Sequence, residues 1–353
     1  FKQKTAYEIS TRDWSSDVCS SDLGRRPDWV EYASPEEDAQ RRDFTINGLF
    51  YDPIAEKVID FVGGQADLER NILRAIGDPY ERIREDKLRM LRAIRFASRY
   101  GFHLDPATQS AIADSSAGLA VVSGERIGVE LTKILEHPNR TWAWNKLDEC
   151  QLLVHVAPEL VPASAACLMA SLPKESLVFP LVLASLVHPL GREGSGGNEL
   201  LPESLESGQW QNDLVSIQER WKLSNQIIEG AQRCVEASAR IVFAHRLRWS
   251  QVQPLLVHGW TVESTMLAER IADHLGIELT GVRLASERVS RPIEEWNPNP
   301  LIDGGDLIRA GLRPSPVFGK LLSKARALQL DNELVDRISA VAWLQERIGE
   351  LNQ

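Results

Sequence analysis

Residues 85–101, EDKLRMLRAIRFASRYG, leave one local structure open to the chain. Apolar side chains recur at Leu88, Leu91, Ala93, Ile94, Phe96 and Ala97, the spacing of a helix with one buried face, and Gly101 supplies the stop. The opposite face is nearly all arginine. Across residues 81–99 the bases Arg82, Arg84, Lys87, Arg89, Arg92, Arg95 and Arg99 oppose the acids Glu81, Glu85 and Asp86, a local excess of +4 in a chain of net charge −10. Asp86, Arg89, Arg92 and Arg95 follow at steps of three, which drift slowly round a helix and predict one polar stripe. A solvated face would mix Lys with Glu and gain little from each ion pair. Guanidinium forks match phosphate oxygens, and a carboxylate beside one offers acceptor and donors to the edge of a base.

Helical signals dominate downstream. Asp78-Pro79 reads as a helix start, 106–114 and 124–135 as further helices, with Ser123 or Gly124 capping the second and Pro138 beyond its end. The most apolar run, 177–190, carries two prolines and His188, is too short to span a bilayer, and predicts a buried helix with a partly buried histidine. Upstream the pattern is mixed. Residues 29–32 read as extended, 44–51 as helix or strand, 57–61 as a strand stopped by Gly63-Gly64, and 67–74 as a short helix. Residues 191–208 read as a Gly/Ser/Glu-rich linker and 286–301, with three prolines, as a connector. No repeat of fixed period is present.

With 353 residues and 43% hydrophobic content, the chain can bury a core across two or three domains. Cys19, Cys150, Cys167 and Cys234 are scattered, with no CxxC and no Cys/His cluster, which argues against structural zinc and fits a reducing compartment. The seven histidines show no HxH or HExxH spacing, and no GxxxxGK[ST] loop occurs.

Three further strings carry chemistry. Arg41-Arg42-Asp43-Phe44-Thr45-Ile46-Asn47 sets two guanidiniums beside a carboxylate, a group costly to bury without partners. That carboxylate can accept from a ribose hydroxyl or hold an arginine in place. In 60–68, DFVGGQADL, Gly63 and Gly64 permit a tight turn and suggest a hinge between a sheet and a helical region. In 304–320, Gly304, Gly311, Pro314 and Pro316 suggest two helices joined by a glycine turn, able to place backbone N–H groups on phosphates.

The first 23 residues have no helical or strand period and no apolar core of a signal peptide. Residues 1–9 resemble a translated sequencing primer and 12–23 a translated read adapter, with Ser10-Thr11 between them as a barcode. Such a scar is set aside from fold reasoning. Native sequence is then expected from about Gly24, with the true N-terminus missing.

Taken together, EEDAQRRDFTIN (36–47), DFVGGQADL (60–68), EDKLRMLRAIRFA (85–97) and GERIGVELTKIL (124–135) resemble, in order and spacing, motifs B, C, D and E of the class II tRNA nucleotidyltransferase/poly(A) polymerase family, the CCA-adding enzymes. DGGDLIRAGLRPSPVFGK (303–320) is similar to the family's tail motif, with Ser315 in place of its usual glycine. The resemblance implies a mostly α chain: the remnant of an α/β nucleotidyltransferase head at 24–65, a helical neck at 66–150, a body at 151–284 and a tRNA-binding tail at 285–353. It implies that Asp86 and Arg89 read the Watson–Crick edge of CTP or ATP, that Arg42, Arg92 and Arg95 bind the triphosphate, and that Asp43 and Asn47 organise the ribose side. Gly63 and Gly64 would form the hinge, and Gly304, Gly311, Arg313 and Lys320 would meet tRNA. The reaction implied is two-metal transfer with Mg²⁺, in the cytoplasm and without a membrane, adding CCA or part of it to tRNA 3′ ends.

One motif is missing. The family's Gly-Gly loop and metal-binding Asp-x-Asp should precede Arg41, and neither stands there; Asp13 and Asp17 have the wrong spacing and Glu31 is a single carboxylate. The expectation is a fragment that binds nucleotide weakly and does not catalyse. A poly(A) polymerase of the same family and a non-catalytic RNA-binding helical protein are the other readings. An inert scaffold, its arginine stripe merely solvated, is the last.

Overall fold

The computed structural model describes residues 34–160, 165–189, 208–257 and 259–351. Residues 1–23, the segment expected to be extended at 29–32, and all but the last residue of the linker at 191–208 lie outside the described residues. The chain divides into two units: Phe1–Ser123 with Lys146–His155, and Gly124–Asn145 with Val156–Gln353.

In the first unit, helix α1 (Pro35–Arg41) starts on a capping box: Ser34 Oγ accepts the Glu37 N–H, and the Glu37 carboxylate accepts the Ser34 N–H. A 3-10 turn at Thr45–Gly48 leads into β1 (Leu49–Asp52), which pairs antiparallel with β2 (Lys57–Asp60). Residues 44–51 are thus part turn, part strand.

Asp60 then starts the next helix. Its Oδ1 accepts the N–H groups of Val62, Gly63 and Gly64 and its Oδ2 that of Gln65, at 2.9–3.0 Å. Burial pushes this carboxyl up, and the four donors outweigh it, holding it below the usual range. So α2 runs Gly64–Glu69, earlier than the helix expected at 67–74. Asn71 turns at φ 56°, and Ile72–Leu73 become strand β3, parallel to β4 (His103–Leu104). The turn needs both glycines: Gly63 sits at φ 79°, and a Cβ on Gly64 would lie 2.2 Å from the Thr45 carbonyl oxygen. Asp67, buried, takes Thr45 Oγ1 at 2.8 Å and Arg74 Nε at 3.1 Å, and Arg74 Nη1 pairs with Asp105 at 2.8 Å.

The helix expected over 85–100 begins only at Arg89. Helix α3 (Pro79–Glu85), capped by Asp78, ends where Asp86 turns extended at φ −144°, and α4 (Arg89–Tyr100) begins after Leu88. Asp86 Oδ1 accepts the Leu88 N–H at 3.0 Å, the side-chain turn that competes with helix. Gly101 closes α4 at φ 70°, and Met90, Leu91, Ala93, Ile94, Ala97 and Ser98 form its buried face. Helix α5 (Pro106–Asp114) is capped by Asp105.

The second unit is helical: α6 (Gly124–Leu135), then, with α7 (Arg140–Glu149) and α8 (Leu153–Val156) both crossing the division of the chain, α9 (Ala165–Ser171), α10 (Phe179–Val187), α11 (Gln209–Trp221), α12 (Asn225–Val242), α13 (Trp249–Leu256), α14 (Thr261–Leu275), α15 (Thr280–Val289), α16 (Ile293–Trp296), α17 (Gly304–Arg309), α18 (Pro316–Leu330) and α19 (Arg337–Leu351). Every residue of α10 is buried, and α12 packs on both α10 and α14. Each large side chain there stabilises by about 1.5–3 kcal/mol. Gly128 lets α6 meet the end of α11, since a Cβ there would lie 2.3 Å from the Trp221 carbonyl oxygen. The connector expected at 286–301 is partly helical, and Arg326 fastens its far end by donating to Asn297 Oδ1 and the Pro298 carbonyl. Ile302, Leu307, Leu321, Ala325, Leu334, Ala340 and Leu344 form a separate apolar cluster of the last three helices and their connections. Among the described residues no helix is long and apolar enough to cross a membrane.

Candidate functional site

The arginine stripe of α4 meets the 41–47 segment through named bonds. Arg92 donates from Nε and Nη2 to Asp43 Oδ2 at 2.9 and 2.6 Å. Asp43 Oδ1 accepts the Phe44 N–H and Asn47 Nδ2, both at 2.9 Å. Asp43 is 8% exposed, so its charge is balanced inside the fold rather than by water. One turn earlier, Arg89 Nη1 donates to the Arg82 carbonyl at 2.8 Å and to Glu85 at 2.6 Å, and Nη2 reaches the Arg41 carbonyl at 3.3 Å. Arg82 Nη1 donates to the Gln40 carbonyl at 3.1 Å. Three guanidiniums of α3 and α4 therefore hold residues 40–43 in place.

Arg42 is oriented on three sides. Its Nη2 pairs with Asp38 at 2.8 Å, its Nη1 donates to the Asn47 carbonyl at 2.7 Å, and its plane lies 4.6 Å from the Phe50 ring centroid. Arg95 lies 4.4 Å over Phe96, which meets the buried Phe44 edge to face at 5.9 Å. Guanidinium–ring contacts of this kind contribute roughly 0.5–2 kcal/mol and fix the plane of the cation.

Arg42, Asp43, Asn47, Arg89 and Arg92 are joined by direct or shared bonds, and Arg95 lies one turn further along α4. Asp86 is not on that helix but in the break before it. Sequence reasoning missed Arg82 as a support, and Phe50 and Phe96 as rings under Arg42 and Arg95. The spacing of Arg92 and Phe96, four residues apart on a helix, was the available signal.

The tail residues lie apart in the chain. Asp303 caps α17, its Oδ1 taking the Gly305 and Asp306 N–H groups at 2.8 and 3.1 Å. The backbone donors expected to face phosphate are thus occupied by the chain's own carboxylate. Gly311 turns at φ 91°, and Arg313 and Lys320 are exposed.

Two family models match: "Poly A polymerase head domain" over residues 1–74, a match that includes the adapter-like segment, and "Probable RNA and SrmB- binding site of polymerase A" over 101–164. The CCA-adding enzyme of Lacticaseibacillus paracasei is 31% identical over 336 residues, 94% of this chain and 76% of the relative. The chain belongs to the CCA-adding enzyme family. The Lactiplantibacillus plantarum member is 33% identical over 306 residues, 85% of this chain and 69% of its own length. Among solved structures of the family, the Bacillus stearothermophilus CCA-adding enzyme in complex with CTP aligns with a TM-score of 0.71 at 26% identity, covering 92% of this chain and 77% of that one. The Thermotoga maritima CCA-adding enzyme complexed with tRNA shares the fold, with a TM-score of 0.57 at 22% identity over 89% of this chain and 74% of that one.

Membership in the family implies metal-dependent nucleotidyl transfer. Among the described residues, no three His, Cys, Asp or Glu side chains stand together so as to hold a metal ion. Asp43, the buried carboxylate paired with Arg92, already has its oxygens occupied. The described residues do not fit a metal pair.

Proposed function

We propose that this chain is the nucleotide- and tRNA-binding part of a tRNA nucleotidyltransferase that adds CCA, or part of it, from CTP and ATP. The observation that carries this reading is the joining of the 41–47 segment to α4 by Arg89 and Arg92, which gathers Arg42, Arg89 and Arg92 at one short stretch of backbone, with Arg95 one turn further along α4. A relative crystallised with CTP supports the ligand class. In this reading Arg89 and Asp86 present donors and an acceptor to the base, Arg42, Arg92 and Arg95 receive the triphosphate, and Asn47 lies on the ribose side. Gly304, Gly311, Arg313 and Lys320 would meet tRNA, mainly by shape and phosphate contacts. Mg²⁺ is the cation the family chemistry calls for. A cytoplasmic setting fits the absence of any disulfide among Cys150, Cys167 and Cys234.

The test is CTP and ATP affinity of the chain by titration calorimetry. Arg89→Ala removes a charge-assisted contact and should cost about 1.5–3 kcal/mol of nucleotide binding. It is the cleaner variant, because the Glu85 it leaves behind is 48% exposed and rehydrates. Arg92→Ala should cost as much, with the fold checked separately because Asp43 loses its partner. Unchanged affinity in both variants would reduce the arginine stripe to a solvated face.

A further inference from the structure

Between Glu236 and Glu263 the chain carries no acid, while Arg240, Arg246 and Arg248 fall in that stretch of a protein whose net charge is −10. Aromatic rings are interleaved with these bases. Arg246 lies 5.5 Å from the Phe243 ring centroid, and Arg288 of α15 lies 4.5 Å from that of Trp249. Bases interleaved with rings are the surface chemistry of nucleic-acid binding.

A cleft of about 330 Å³ opens beside Trp249. Arg248, Trp249 and Arg288 line it from the start of α13 and from α15, and Asp331, Asn332 and Glu333 from the end of α18. That volume stands at the lower end of the roughly 300–1,000 Å³ of small-ligand sites.

The charged groups of its wall are unequal. Asp331 is spent on the fold: its Oδ1 accepts the Ser250 N–H at 2.9 Å and its Oδ2 the Ser250 hydroxyl at 2.7 Å, and its side chain is 10% exposed. Glu333 pairs with Arg248 at 2.9 Å, but the two side chains are 50% and 67% exposed, so the pair is worth little and opens readily. The Arg288 guanidinium makes no hydrogen bond or ion pair among the described residues, and Trp249 covers one of its faces. Its second face and its N–H edges are left for a ligand in the cleft. A guanidinium plane stacks a nucleobase, provided that the base is not already stacked on its neighbours.

We propose that this cleft receives one unstacked nucleotide of an RNA strand, its base on Arg288 and its phosphate at Arg248. This rests on the tRNA reading above and goes beyond it. The contact is to a base taken out of its stack rather than to shape and phosphate, and it lies on residues other than Gly304, Gly311, Arg313 and Lys320. An RNA with unpaired nucleotides is then held more tightly than a plain duplex of the same length.

The experiment measures the affinity of the intact chain for two probes: a tRNA transcript ending before CCA, and a blunt RNA duplex with no unpaired nucleotide. Arg288→Lys keeps the charge and loses the plane; Arg288→Ala loses both. Each variant should lower tRNA affinity about tenfold, the effect of one lost base stack. Arg288→Lys should bind the duplex as the parent chain does. Full tRNA affinity in Arg288→Lys with loss in Arg288→Ala would make Arg288 a phosphate contact and overturn the proposal. An equal loss of both RNAs in Arg288→Lys, with a lowered unfolding temperature, would make its role structural and overturn it too.

A second measurement needs no variant. Ultraviolet irradiation of the parent chain bound to the tRNA transcript should crosslink a nucleotide to the peptides that hold Trp249 and Arg288, read by mass spectrometry. Crosslinks confined to other segments would sink the proposal. A parent chain that binds tRNA no better than both variants do removes this proposal and leaves the tRNA reading standing. A parent chain that binds no tRNA removes both.

Discussion

At the scale of single residues, burial decides what a polar group does. His188 was expected to be partly buried at the end of an apolar run; it is fully buried, with Ser238 Oγ 3.3 Å from its Nε2. Burial pushes its pKa down to about 3 from 6.5, and a backbone hydrogen bond at Val235 pulls only partly back. Above pH 6.5 the ring is neutral in both folded and unfolded chains and adds no pH dependence. As pH falls below 6.5 the unfolded chain takes up a proton that the folded chain refuses until about 3, so stability is lost across that window. The slope is about 1.4 kcal/mol per pH unit. Urea unfolding of the parent chain and of His188→Gln at pH 7 and pH 5 measures it. The parent should lose about 2 kcal/mol more than the variant between the two pH values, and equal losses would mean that His188 is not held neutral. Arg140 solves the same problem differently: it is buried yet donates to the carbonyls of Leu135, Pro173 and Glu175, and stays a cation fastened to the end of α6.

At the scale of elements, short side chains set the boundaries. Asp60, Asp78, Asp105 and Asp303 each open a helix by accepting its first N–H groups. Asp86 breaks one by the same chemistry. The turn at Asp60–Gln65 also shows why two adjacent glycines are not equivalent. Gly63 has open space around its missing Cβ and needs only its positive φ, whereas Gly64 abuts the Thr45 carbonyl. Gly63→Ala should cost roughly 1–2 kcal/mol of left-handed strain. Gly64→Ala must move backbone, and overpacking of that kind costs about 1–3 kcal/mol or more. Thermal unfolding should rank Gly64→Ala as the more damaging, and should show it disturbing the 41–47 segment through Thr45. The reverse order would mean that the turn relaxes freely.

At the scale of the whole molecule, two units stand beside one expected reaction, and among the described residues no carboxylate cluster stands ready to hold a metal ion. Upstream of Arg41 no Asp-x-Asp occurs. We expect these 353 residues to bind CTP and ATP and to incorporate neither into a tRNA transcript ending before CCA, with Mg²⁺ supplied. Labelled-nucleotide incorporation measures this directly. Any turnover above the enzyme-free control would place metal-holding carboxylates outside the described residues, and would restore the catalytic reading for the chain as it stands.

The sequence by itself determined the family, the predominance of helix, and the residue types of the site. Those rest on local chemistry: helical spacing, glycine stops, Asp caps, and arginine at three-residue steps are all readable within a few neighbours. It singled out Arg42, Asp43, Asn47, Arg89, Arg92 and Arg95 as candidates because each stands in a short ordered string. It missed the break at Asp86, since a single Asx turn leaves the apolar period undisturbed on either side. It also left open whether Asp43 takes a ribose hydroxyl or an arginine. Only the tertiary structure showed that Arg92, 49 residues away, arrives with two donors at an Asp43 oxygen shielded from water. A carboxylate's role is set by which donors reach it first in the folded chain, and those donors come from distant segments.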